Sequence, residues 1–318
     1  MPPIAQLRSA EKDQLHPRNK HRGQYDFKKL IEAIPELANY ISENGNKVLT
    51  IDFSDPIAVK TLNKALLKSF YGVALWDIPE GYLCPPVPGR ADYIHYMADL
   101  MAESHGKIPR GRSVRVLDIG VGANCIYPLI GHREYGWTFT GSEIDLYSTR
   151  SAKNIIEANS LSKSISIRKQ SSAVNILEGV INHGEKFDLT ICNPPFHTSM
   201  IAAAEGTERK WKNLGSGKSG SDLNFGGKNG ELWCEGGEMD FVRRMIRESE
   251  GFSESVLWFS SLISKKETLT ACYNELKQVN AAEVLTINMC QGQKNSRILA
   301  WSYMDMQSRT EWCKERFK

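Results

Sequence analysis

The sequence predicts an α/β protein built on a mostly parallel, doubly wound sheet, with a smaller accessory region at its amino-terminal end. Three segments carry that prediction. Val114 to Asn124 reads as a buried strand running into the turn Gly120-Val121-Gly122 and then a helix. Trp137 to Glu143 reads as a second strand with an acidic residue at its carboxyl end, and Phe187 to Cys192 as another, closed by Asn193-Pro194-Pro195-Phe196. Short apolar runs of this kind suit a parallel sheet buried on both faces. In open sheets of this class ligands bind beyond the carboxyl ends of the strands, so the three terminating motifs are expected to meet.

In chain order, residues 1–89 are read as an accessory, RNA-binding region and residues 90–318 as the main domain, with 205–237 as a mobile loop. His16 to Gly23, HPRNKHRG, places Arg18, Lys20 and Arg22 beside two histidines within eight residues. Two readings of that run stand: a solvated arm, or an arm that binds phosphates without sequence choice. Neighbouring Tyr25 and Phe27 favour unpaired RNA, on whose bases aromatic side chains stack. Asp26 to Tyr40 is expected to be helical with a break at Pro35, and Val48 to Phe53 alternates like a short strand. Asp55-Pro56 opens a helix, with Asp55 as cap and Pro56 in the first helical position. Pro79, Pro85, Pro86 and Pro88 mark residues 78–89 as an extended connector, after which a helix runs from Arg90 to about His105.

The chemistry follows from the strand endings. Gly120 and Gly122 let backbone approach a ligand without Cβ obstruction, and Asp118 lies just ahead of them. A lone GxG is shared with dinucleotide-binding folds, and Cys125 stands where GxGxxG has its third glycine. Glu143 suits ribose hydroxyls. A nucleoside without a pyrophosphate, such as S-adenosylmethionine, fits that pair better than NAD. Proline has no N–H to give a sheet, so Pro194 and Pro195 end their strand sharply and leave carbonyls unpaired. The Asn193 side-chain carbonyl and the Pro194 backbone carbonyl can then each accept one N–H of a planar exocyclic amine, with Phe196 stacked on the base. A neutral amine needs no general base before attack, because its proton leaves afterwards. The plainer alternative is a proline turn beside a core phenylalanine.

Leu146 to Ser160 reads as the crossover helix, Ile165 to Arg168 as a strand, and Gln170 to Ser172 as a contact for the cofactor's adenine. Within 205–237, Lys210, Lys212 and neighbouring aromatics suit either a loop closing over RNA or a solvated one. Gly217-Lys218-Ser219 lacks the spacing of a phosphate loop, since Lys212 stands where the first glycine belongs. A helix from Gly236, a strand from Ser255 to Phe259, a helix from Lys265 to Lys277 and a hairpin of Glu283–Met289 with Arg297–Tyr303 complete the expected order.

Composition sets outer bounds. The 318 residues are 41% hydrophobic and 24% charged, as in ordinary globular proteins, and no run approaches the ~20 apolar residues of a membrane span. Met1-Pro2-Pro3-Ile4 has no secretory pattern. Seven cysteines are scattered without metal-ligand spacing, which points to free thiols in a reducing, cytoplasmic setting and to no metal. A net charge of +3 is too small to announce a nucleic-acid partner by itself.

Taken together, HPRNKHRGQYDF (16–27), VPGRADYIHY (87–96), DIGVGANCIYPLIG (118–131), GSEID (141–145), CNPPFH (192–197), EGGEMDFV (235–242) and the pair CQGQ and RILAWS (290–302) resemble the bacterial 23S ribosomal RNA adenine-N6 methyltransferases. The same blocks are similar to the catalytic domain of the eukaryotic methyltransferase-like 16 proteins. The resemblance implies a Rossmann-like class I methyltransferase sheet and transfer of a methyl group from S-adenosylmethionine to N6 of one adenosine, conventionally adenine-1618. It also implies 23S RNA or a large-subunit assembly intermediate as partner. By position, Arg90, Gly120, Asn124, Glu143 and Ser172 match the cofactor pocket, to which the residue reading adds Asp118 and Gly122; Asn193 to Phe196 match the catalytic tetrapeptide. The eukaryotic relatives carry a Ser- or Thr-type residue where Asn124 stands. Rival readings are an N2-guanine ribosomal RNA methyltransferase, whose families carry similar NPPFH motifs, a protein glutamine methyltransferase, and a non-catalytic RNA-binding or ribosome-assembly module.

Overall fold

The computed structural model describes residues 15–45, 47–197, 233–291 and 294–317. Its amino-terminal region is helical. Helix α1 (Phe27–Ala33) is capped by Asp26, whose carboxylate accepts from the Lys28 and Lys29 amides, and a 3-10 turn follows over Pro35–Tyr40. Strands β1 (Ile41–Glu43) and β2 (Leu49–Ile51) form a separate antiparallel pair. Helix α2 (Pro56–Tyr71) starts at the Asp55 cap and stops at Gly72, which takes a left-handed φ of 61°. Helix α3 (Val87–His105) follows Pro86 as its extended cap residue and has Pro88 in its first turn, where a missing N–H is harmless. The division at 89/90 therefore falls inside α3. The apolar core is continuous across it, running from Leu30 and Leu66 through Ile94 and Met97 to Val116 and Leu189.

The basic run is packed, not a free arm. His16, Asn19 and His21 are buried. The Asn19 amide donates to Asp92 at 2.5 Å and to the Pro88 carbonyl at 2.8 Å, while the His16 backbone amide donates to Asp92 at 3.0 Å. Arg18 donates to Asp99 at 2.6 Å, the His95 carbonyl at 2.9 Å and the Tyr135 hydroxyl at 3.1 Å, and Lys20 pairs with Glu134 at 2.7 Å. Carboxylates on or beside α3 thus neutralise the charges that a free arm would offer to phosphates. This corrects the reading of a free, solvated arm: Arg18 and Lys20 clamp the amino-terminal segment to the helical layer, and half-buried Arg22 lies in the same packed stretch.

The main sheet holds β3 (Arg115–Ile119), β4 (Thr138–Glu143), β5 (Ile165–Lys169), β6 (Phe187–Cys192), β7 (Val256–Ile263), β8 (Glu283–Gln291) and β9 (Lys294–Ser302) in the order β5-β4-β3-β6-β7-β9-β8. Strands β3 to β7 run parallel, and β9 is antiparallel to both β7 and β8. Helices α4 (Ile126–Tyr135), α5 (Leu146–Ala158), α6 (Gly237–Glu250) and α7 (Lys266–Gln278) connect or flank the strands. The chain turns back beside β3, so β3 lies between β4 and β6. Ile119 pairs with Ser142 on one side and Cys192 on the other. Gly120, Glu143 and Asn193 therefore leave the sheet at one level.

A final helix, α8 (Met306–Arg316), crosses the opposite, amino-terminal end of the strands. Fully buried Asp188 on β6 accepts from Trp312 Nε1 at 2.7 Å, from Arg316 at 2.5 and 3.0 Å, and from the Arg115 amide at 2.7 Å. Among the described residues no helix is long and apolar enough to cross a membrane, and no group of three or more His, Cys, Asp or Glu is placed to hold a metal ion.

Candidate active site

A cavity of about 490 Å³ opens beyond the carboxyl ends of β3, β4 and β6. Of the residues singled out from sequence, Arg90, Gly120, Gly122, Asn124, Glu143, Ser172, Asn193, Pro194 and Pro195 line it, whereas Asp118 and Phe196 do not. Lys210 and Lys212, with most of the loop 205–237, lie outside the described residues.

The turn after β3 is shaped by left-handed backbone. Gly120 and Gly122 have φ of 69° and 65°, and Cys125, where a third glycine was absent, takes φ 53°. The cysteine thus adopts the conformation a glycine adopts most easily, and the turn keeps its form. The Gly120 and Val121 amides donate to the Ser142 carbonyl, each at 3.0 Å, tying the turn to β4. Glu143 then fixes the cradle. One carboxylate oxygen accepts from the Gly122 amide at 2.9 Å; the other accepts from the Ile144 and Asp145 amides, both at 2.9 Å. Burial pushes its pKa up while these amides oppose the shift. An ionised carboxylate has about four lone-pair sites, so one remains for a hydroxyl donor.

Two predicted cofactor residues have mainly architectural contacts. Asn124 accepts from the Ile126 amide at 3.1 Å and donates to the Leu83 carbonyl, and its own carbonyl accepts from Trp76 Nε1 at 2.8 Å. Its side chain starts α4 and ties the 72–86 connector to the cavity wall. The Ser172 hydroxyl accepts from the Val174 and Asn175 amides at 3.2 and 3.0 Å, shaping the loop after β5.

Asp118 is buried beneath the glycine turn, and both its oxygens lack a hydrogen-bond partner among the described residues. Burial raises its pKa well above the usual carboxylate range, Glu143 adds to the shift and Arg90 opposes it. A cation bound in the cavity would favour the ionised form of Asp118 and add to the charge of Glu143, and S-adenosylmethionine, with its sulfonium and ammonium groups, fits. A raised folded-state pKa means that Asp118 lowers stability as pH climbs above its unfolded value near 3.9. Asp118→Asn should therefore raise the melting temperature of ligand-free protein at neutral pH, with the difference vanishing in acid. The same change should weaken S-adenosylmethionine binding by roughly 10-fold or more, the scale of a lost interaction with a charged group. Thermal melts across pH and calorimetric titration check the two effects.

At the far side of the cavity, side chains take over where the β6–β7 ladder stops. Its registered pairs end at Leu189 and Trp258. The Cys192 amide, next to Asn193, instead donates to the buried Tyr93 hydroxyl at 3.3 Å, which bonds Ser260 Oγ at 2.8 Å; that serine donates to the Thr190 carbonyl at 2.6 Å. Arg90 joins the two halves of the site. Its Nη1 donates to Tyr127 Oη at 2.9 Å and to Asn193 Oδ1 at 3.3 Å, and its cation lies 5.5 Å from the Tyr127 ring centre. A carbonyl oxygen has two lone pairs, so Asn193 Oδ1 keeps one for a substrate N–H. Tyr93 and Tyr127 stand inside the blocks VPGRADYIHY and DIGVGANCIYPLIG without a role of their own, and Trp233, which also lines the cavity, was read only as one of the aromatics of the loop 205–237. Only the aromatic character of α3 and α4 hinted at the first two.

The family model described as RNA methyltransferase matches residues 9–305. The ribosomal RNA large subunit methyltransferase F of Pseudomonas savastanoi pv. phaseolicola is 53% identical over 304 residues, covering 94% of this chain and 93% of its own length. The protein of the same name from Photobacterium profundum is 52% identical over 326 residues, covering 96% of each. Among solved structures, the human METTL16 catalytic domain in complex with the MAT2A 3'UTR hairpin 1 aligns with a TM-score of 0.77 at 32% identity, over 92% of this chain and 96% of that one. The N-terminal domain of human METTL16 in complex with SAH gives 0.73 at 31% identity, over 92% and 99%. The sheet order, the glycine cradle and these likenesses agree on a class I S-adenosylmethionine-dependent methyltransferase fold, and the chain belongs to the RNA methyltransferase family.

Proposed function

We propose that this protein transfers a methyl group from S-adenosylmethionine to N6 of one adenosine in 23S ribosomal RNA, at adenine-1618, in the cytoplasm. The observation that carries the reading is the placement of Asn193 and Pro194 in one cavity with the Gly120–Glu143 cradle. The relatives named for large-subunit ribosomal RNA support the substrate class. Arg90, Gly120, Gly122, Asn124, Glu143 and Ser172 would hold the cofactor, with Asp118 beneath them supplying negative charge. When bound, S-adenosylmethionine supplies an electrophilic methyl group.

The chain's own residues orient the acceptor. Asn193 Oδ1 and the Pro194 carbonyl each take one N–H of the adenine amine, and partial negative charge on both grows more useful as the nitrogen becomes positive during attack. The proton then leaves to water, so no side chain has to act as a strong base. Phe196, half-buried and adjacent to Pro195, is the aromatic face for the extruded base, a contact worth roughly 1–3 kcal/mol in single-strand binding. Base extrusion costs a few kcal/mol, which favours a loop adenosine or one exposed in an assembly intermediate.

The test is mass mapping of modified nucleosides in 23S RNA from cells with and without the gene. Loss of one N6-methyladenosine, restored by wild type and not by Asn193→Ala, is the expected result. A missing N2-methylguanosine instead would install the guanine enzyme, and an unchanged map in every RNA would leave a binding module.

A further inference from the structure

Among the polar residues that line the cavity and take no part in this chemistry, half-buried Trp233 has a buried donor, Nε1, without a partner among the described residues. An indole N–H only donates, and a buried donor left unpaired costs about 1–3 kcal/mol. The fold brings this donor to the catalytic tetrapeptide by a specific contact. Trp233 forms a parallel bridge with His197, and the Cys234 amide donates to the His197 carbonyl at 3.2 Å. Trp233 is thereby pinned beside the segment that begins at Asn193. The groups that Asn193 and Pro194 offer to an amine are acceptors; the indole is a donor.

We infer that Trp233 Nε1 donates to a ring nitrogen next to the reacting amine, making Trp233 a base-recognition residue; this rests on the adenine reading above. The N6 amine of adenine is flanked by N1 and N7, both acceptors, so two acceptors and one donor match it. The N2 amine of guanine is flanked on one side by N1–H, which would meet the indole donor head-on. Buried donor against donor is strongly unfavourable, so the same side chain that reads adenine rejects guanine on that edge. The identity of the base then depends on a residue outside the NPPF motif.

The experiment uses the full chain and a 23S RNA fragment carrying adenosine, 1-deazaadenosine or 7-deazaadenosine at the target position. Single-turnover rates are measured for wild type and Trp233→Phe, which keeps an aromatic ring and removes the indole N–H together with the pyrrole part of the ring; the deaza substrates separate the lost donor from the lost ring area. The expected result is about a tenfold loss for Trp233→Phe on adenosine RNA, the scale of one neutral hydrogen bond. One of the two deaza substrates should slow wild type by a similar factor and slow the variant no further. S-adenosylmethionine affinity should match wild type, and the ligand-free variant, relieved of an unpaired buried donor, should melt no lower than wild type. An active wild type with an equally fast Trp233→Phe would overturn this inference alone. So would losses that multiply for both deaza substrates, or a variant that has lost cofactor affinity. A wild type inert on the adenosine RNA would overturn the adenine reading, and this inference with it.

Discussion

Asn193→Ala is expected to lower kcat by about 10²–10³-fold, the scale for removing one aligned transition-state hydrogen-bond partner. Among the described residues the side chain hydrogen-bonds Arg90 alone, at 3.3 Å, and Arg90 retains Tyr127. The backbone on its amino-terminal side stays fixed through Cys192, Tyr93 and Ser260. Melting temperature and cofactor affinity should therefore stay close to wild type while turnover collapses. Calorimetry with S-adenosylmethionine and single-turnover methylation of 23S RNA separate the two. A variant with much weakened cofactor affinity, yet normal turnover at saturating cofactor, would move Asn193 into the cofactor pocket and out of amine recognition.

Asp188→Ala is expected to destabilise the fold by about 3–5 kcal/mol, as breaking a buried ion pair does when its partner stays behind uncompensated. The carboxylate is fully buried and serves Arg316, Trp312 and the first amide of β3 together. At about 2–4 °C per kcal/mol for a chain of this class, the melting temperature should fall by roughly 10 °C. Asp188 lies five residues before Asn193, about 17 Å along the strand. At permissive temperature the variant should therefore keep near-normal cofactor affinity. Thermal melts and titration on the same preparation check this; equal losses in stability and affinity would show that the two ends of β6 are not independent.

Strands were readable because a parallel sheet demands unbroken apolar runs, and punctuation ended them. Phe187–Cys192 is observed with the expected bounds, stopped by its two prolines, and the hairpin strands extend to Gln291 and Lys294. Helix α8 was not foreseen. Its sequence, MQSRTEWCKER, is mostly polar, and what holds it is a charge pair with a residue 128 positions away. Strand β1 was not foreseen because three residues carry too little pattern, and only its partner β2 makes it a strand. The basic run misled for a related reason: local composition showed the cations, while Asp92, Asp99 and Glu134 come from elsewhere in the chain. The site itself was legible wherever residues end a strand, as with Gly120, Glu143 and Asn193. It was not legible where residues meet only in space, as with Arg90 and Asn193, 103 positions apart, or Trp233 bridged to His197.

The contacts of α8 also bear on the order in which the molecule is assembled. Besides Asp188, Arg316 reaches the carbonyl of Ser113, 203 residues earlier, at 3.5 Å. Strands β3 and β6 can pair during synthesis, but the seam where they start is sealed by α8, which is translated after both. Contacts of such long sequence separation form late and slowly, and a nascent chain halted before them exposes unfinished core. Until α8 has been synthesised and has packed, buried Asp188 lacks its arginine and tryptophan partners, and the sheet is complete only once they are in place.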